Sequence, residues 1–112
     1  MMVTPSSEVV GFRVVRTLGL VRGNTIRARH LGKDILAVLK NIVGGEIHEY
    51  TKMMGEAREQ AIDRMVAEAE SLGANAIIDV DFSTSYLMGA AAEILVFGNA
   101  VIIERDELSR SR

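Results

Sequence analysis

Two hydrophobic periods alternate along the chain, and their order predicts strand, helix, helix, strand and strand. The run "VVGFRVVRTLGLV" (residues 9–21) is β-branched and poor in turn residues, which predicts a strand. Val10, Phe12, Val14, Arg16 and Leu18 alternate with Val9, Gly11, Arg13, Val15 and Thr17, so neither face of it is cleanly polar. "RGNT" (22–25) predicts a turn, followed by a short extended piece over 26–28. Over residues 33–43, Ile35, Val38, Leu39, Ile42 and Val43 recur at three- and four-residue spacing, the stripe of an amphipathic helix.

Adjacent glycines then interrupt the pattern. Gly44 suits the left-handed position that ends a helix, because it has no Cβ to clash there. Gly45 suits the N-cap of the next helix, with Glu46 and Glu49 in the first turn at the positive end of its dipole. That helix is expected over residues 46–72. Its inward stripe is Ile47, Tyr50, Met54, Ala57, Ala61, Met65, Glu68 or Ala69, and Leu72, widened by Ile62 and Val66. At ~1.5 Å per residue it is about 40 Å long, and Gly73 terminates it.

"NAIIDVDFSTS" (75–85) alternates strictly, with Ala76, Ile78, Val80 and Phe82 on one face and Ile77, Asp79, Asp81 and Ser83 on the other. After a small-residue connection, "EILVFGNAVIIE" (93–104) is apolar on both faces. The charged tail 105–112 is expected to be disordered. The helices can cover only one face of the resulting sheet. Two of three strands are nonetheless apolar on both sides, a pattern that normally means burial on both. Another copy of the chain is the expected cover, so a homo-oligomer is expected.

Composition narrows the function more by exclusion than by indication. At 112 residues the chain forms one domain with a core of its own. A net charge of −2 with both signs intermixed offers no footprint for nucleic acid or anionic membrane, so neither is an expected partner. Aromatics are 4% of residues, which removes the stacking faces used by single-strand binders. There are no cysteines, so disulfides and thiolate metal sites are excluded. The N-terminus lacks a basic stretch followed by an apolar core, and no apolar run reaches ~18 residues. A cytoplasmic location is expected.

The candidate chemistry is sparse. "VGGEI" lacks the spacing of a phosphate loop and does not follow a strand; a hinge between helices is the plainer reading. The alternative is a ligand site at the second helix's N-terminus, using Gly44, Gly45 and Glu46 with Tyr50 and Arg58 further along. Asp79 and Asp81 project about 7 Å apart on one strand face, a spacing that suits oxygen ligation of a hard cation. His30 and His48 are the only imidazoles, and a zinc site needs three or four converging ligands. On a helix the carboxylates of Glu46 and Glu49 point away from His48, so solvated histidines are the plainer reading. Ser83, Thr84 and Ser85 have no adjacent histidine and no nucleophile-elbow motif, so no enzyme activity is expected.

The segments "LKNIVGGEI", "YTKMM", "AREQAIDRM" and "LGANAII" resemble the YbjQ-like family, which carries a heavy-metal-binding description and no established function. The resemblance runs over residues 11–104. It implies an α+β fold: a β-α-β-β core with the long helix on a three-stranded antiparallel sheet, like a dodecin subunit, assembled as a ring of five. Glycine is frequent in the family at the positions of Val38 and Asp79, and tyrosine at Phe97. The expectation is a non-enzymatic ring that binds a small ligand or acts as a scaffold. The alternative is a divalent metal ion held by His48, Asp79 and Asp81.

Overall fold

The computed structural model describes residues 1–26, 47–87 and 90–106. The expected helix over 33–43, His30, the Gly44–Gly45 junction with Glu46, and the tail from 107 lie outside the described residues. Five elements follow in order: β1 (Met2–Val3), β2 (Phe12–Ile26), α1 (Ile47–Ser71), β3 (Ala76–Leu87) and β4 (Ala90–Arg105). The strands form one sheet in the order β1-β3-β4-β2. The expected three-stranded antiparallel sheet is therefore a four-stranded mixed one. β2 and β3 both run antiparallel to β4, while β1 adds a parallel pairing at the β3 edge, Met2 beside Ala76 and Val3 beside Ile77. A two-residue strand is too short to leave a periodic signal.

Helix α1 forms where the three- and four-residue spacing places it. Met54, Ala57, Ala61, Met65 and Ala69 are buried along one stripe, with Ile62 and Val66 half-buried at its margin. Glu68 is exposed, so Ala69 is the inward residue of that pair, and Leu72 at the helix end is exposed. Gly73 has φ +85°. Its amide donates to the Glu70 carbonyl at 3.0 Å, and the Ala74 amide donates to the Ala69 carbonyl at 3.1 Å. Those two bonds are the Schellman termination that a left-handed glycine permits.

The helix packs on Val21, Ile77, Ile94, Val96 and Ala100, all buried, and this is the main core. Each large side chain removed from water there contributes about 1.5–3 kcal/mol. Its position depends on the tetrapeptide whose composition predicted a turn. "RGNT" continues β2 without a break, pairing with β4 from Arg22 beside Phe97 to Thr25 beside Ile94. A Cβ on Gly23 would lie 2.0 Å from the Ala61 carbonyl oxygen and 2.5 Å from the Met65 nitrogen. Gly23 is there because the helix backbone rests directly on the strand, a use of glycine distinct from turning. The Thr25 hydroxyl, 3% exposed, donates to the Ala57 carbonyl at 2.9 Å. Arg64 donates to the Asn24 carbonyl at 2.6 Å. Local composition says turn; the helix makes it a docking strip.

Candidate functional site

The pairing register shifts in β2 at Val14/Arg16 and Thr17/Gly19, and in β3 at Ile78/Asp81 and Ser85/Tyr86. Ile78 pairs with Asn99 and Asp81 with Phe97, so Asp79 and Val80 together oppose the single residue Gly98. That is a β-bulge. Asp79 takes φ +54°, in the left-handed region where aspartate is one of the few tolerated side chains. A Cβ on Gly98 would lie 2.7 Å from Ile77 Cγ2 and 3.0 Å from the Ile78 carbonyl oxygen, so glycine lets the bulge close.

The bulge also breaks the expected alternation. Ala76 and Ile78 pack with Val101 and Ile103, whereas Val80 joins Ile77 in the core under α1. The single face Ala76, Ile78, Val80, Phe82 does not exist, because one inserted residue reverses every side chain after it.

Both candidate carboxylates are exposed and engaged locally. Asp79 Oδ1 accepts from the Ser7 hydroxyl at 2.6 Å, and Oδ2 from Asn99 Nδ2 at 3.4 Å. Asp81 Oδ1 accepts from the amide of the next residue, Phe82, at 2.8 Å. Among the described residues no group of three or more His, Asp or Glu is placed to hold a metal ion. Of the other candidates, Arg58 is exposed on α1. His48 and Tyr50 occupy its first turns, with side chains outside the described residues. Gly44, Gly45 and Glu46 lie outside them altogether.

The bond from Ser7 to Asp79 anchors a feature that sequence reasoning missed. The N-terminal segment lies along the β3 edge: the Thr4 amide donates to the Ile77 carbonyl at 3.0 Å, and the Asp79 and Val80 amides donate to Ser6 and Thr4 carbonyls at 3.1 Å. Residues 7–11 then pass beneath the sheet, from the β3 edge to the start of β2, as a strap. Val9 and Phe12 pack from it onto buried Ala76, Ile78, Val101 and Ile103.

The strap turns tightly. The Phe12 amide donates to the Val9 carbonyl at 3.0 Å, with Gly11 at φ +85° in the third position. That is a type II turn, which requires glycine there. The Asp106 amide pins it by donating to the Gly11 carbonyl at 2.8 Å. A cleft of about 510 Å³ opens along residues 7–14 and Ile103. The legible signal was Gly11 itself, an isolated glycine in a strand pattern.

Among the described residues the strap covers only half of this second face. Beyond it Leu20 is 62% exposed, its diagonal neighbour Phe97 is half-buried, and Leu95, two residues further along β4, is half-buried as well. Arg22 on β2 and Asp81 on β3 flank Phe97 in one cross-strand row, and both are exposed. The row is an apolar patch with a cation on one side and a carboxylate on the other.

A family model of the YbjQ proteins, described as "Putative heavy-metal-binding", matches residues 1–104. A UPF0145 protein of Dehalococcoides mccartyi is 59% identical over 104 residues, covering 93% of this chain and 100% of its own length. A UPF0145 protein of Pyrococcus abyssi is 53% identical over 105 residues, covering 94% and 92%. The crystal structure of a protein of unknown function from Pediococcus pentosaceus aligns with TM-score 0.49 and 17% identity, over 95% of this chain and 98% of that one.

Proposed function

This chain belongs to the YbjQ family of UPF0145 proteins, and on that premise we propose a non-enzymatic protein that assembles with copies of itself into a closed ring, most simply of five subunits, and binds a small ligand at the subunit boundaries. The observation that carries this reading is the half of the second face that no described element covers, where Leu20 is exposed and Phe97 and Leu95 are half-buried beside a finished core. Apolar area of this kind gains about 25 cal/mol per Å² when it is covered. The proposed setting is the cytoplasm, and no described helix is long and apolar enough to cross a membrane.

Native mass spectrometry of the purified protein tests assembly and bound species together. A five-subunit mass carrying a retained small molecule is the expected result. A stable monomer at micromolar concentration overturns the reading.

The family description favours a second reading, a metal-binding protein. With no cysteine in the chain, soft ions lose their preferred thiolates, and only imidazole and carboxylate remain. A site would then need Asp79, Asp81 or His48 from different copies to converge. Micromolar or weaker binding of zinc or copper is expected by calorimetry. Tight, stoichiometric binding abolished by Asp79→Asn with Asp81→Asn, or by His48→Ala, would replace the first reading with the second.

A further inference from the structure

Val10 is 98% exposed, the most water-facing of the large apolar side chains in the described residues. A lone exposed valine is ordinary on a protein surface. This one sits at the tip of a pinned turn, held by the Phe12–Val9 and Asp106–Gly11 backbone bonds, so it is presented rigidly. Among the described residues, no element packs against it. Glu8 precedes it and Arg13 follows, both exposed.

The open patch has the matching character. Leu20 and Phe97, diagonal neighbours on β2 and β4, offer an apolar seat, with Arg22 on one flank of Phe97 and Asp81 on the other. The knob carries an acid and then a base; the seat carries a base and an acid.

We infer that the strap tip of one copy docks on the open half-face of another, with Val10 seated between Leu20 and Phe97 and Glu8 facing Arg22 of the second copy. The occupant is a second copy of this chain because knob and seat are both present on it with opposed charges, and because they cannot meet within one subunit. Between Phe12 and Leu20 β2 shifts register at Val14/Arg16 and Thr17/Gly19, and at ~3.3 Å per residue, shortened by those bulges, the two sites still lie about 20 Å apart. Among the described residues the raised strap covers one half of the face and leaves the other partly open, so each subunit offers both a projection and a seat to receive one. This contact deepens the self-association proposed above and rests on it.

The absence of cysteine from the chain makes the test clean. A Val10→Cys, Leu20→Cys double variant can form only intermolecular disulfides, since a disulfide needs Cα atoms within about 7 Å. Mild oxidation should give covalent dimers and higher multiples on non-reducing gels. An equimolar mixture of the two single variants should give a dimer that neither forms alone. In parallel, Glu8→Arg should weaken self-association at least tenfold in sedimentation, and adding Arg22→Glu should restore it, with unchanged thermal melts showing that both variants fold. If wild type sediments as an oligomer while the double variant does not cross-link, or the charge exchange gives no rescue, this contact is wrong and self-association stands. If wild type sediments as a monomer, both fall together.

Discussion

The two faces of this sheet are built from similar residues and finished in opposite ways. On one face the 25-residue helix α1 lies along the sheet, its stripe is alanine and methionine, and one glycine allows backbone to rest on backbone. Across the sheet, no described helix covers Ala76, Ile78, Val101 and Ile103; two side chains do so, Val9 of the strap and Phe12 at the start of β2. A helix presents an apolar stripe every turn and can seal a whole face. A strap presents only what its few residues reach, so the second face stays half open. The same hydrophobic pattern therefore goes with a sealed core on one side and, among the described residues, a partly open face on the other.

The comparison predicts a gradient of sensitivity. Gly23→Val should be the most damaging single change, because its side chain would occupy the space of the Ala61 carbonyl and Met65 amide. A loss of about 3 kcal/mol or more is expected in chemical denaturation, at the upper end for overpacking. If stability were unchanged, α1 would not rest on β2 as described. Next in size, Met65→Ala empties a fully buried site and should cost about 3 kcal/mol. Phe12→Ala on the strap, where the ring is half-buried, should cost about half as much. Equal losses from these two would mean that the faces are equally well packed.

Thr25→Val keeps the shape at the helix contact and removes the hydroxyl bonded to Ala57. About 1 kcal/mol is expected from thermal melts, the net worth of one buried hydrogen bond. The smallest effect is expected at Asp79→Gly. Glycine relieves the φ of +54° but loses the bonds to Ser7 and Asn99, so the terms nearly cancel. Asp79→Ala loses the same bonds and keeps the strain, and should be less stable than Asp79→Gly by about 1 kcal/mol. Equal melting temperatures for those two variants would show that the bulge does not hold Asp79 in the left-handed region.

The Asp79 pair also explains a feature of the resemblance. The resemblance implies glycine at this position, and a left-handed bulge residue is where glycine fits without strain. In this chain the carboxylate replaces that freedom with two hydrogen bonds, one of which fastens the N-terminal strap. The candidate metal role of Asp79 was read from its presumed neighbour Asp81 on a regular strand. The bulge removes that regularity, and the partner that matters is Ser7, 72 residues away in sequence.

What the sequence determined by itself is what depends on neighbours within a turn or a strand. The long helix, its buried stripe from Met54 to Ala69, its stop at Gly73 and the two apolar faces of β4 were all legible, because the 3.6- and 2-residue periods are local properties. Tertiary structure decided the rest. "RGNT" became strand because Gly23, Asn24 and Thr25 meet Ala57, Ala61 and Arg64 of the helix. The chain pattern over 9–12 became a strap because Val9 and Phe12 find buried partners on β3 and β4. The strand of strict alternation bulged because Gly98 opposite it leaves room and Ser6, Ser7 and Asn99 supply partners. Each of these outcomes is fixed by a contact between residues distant in the chain, and no local period records such a contact.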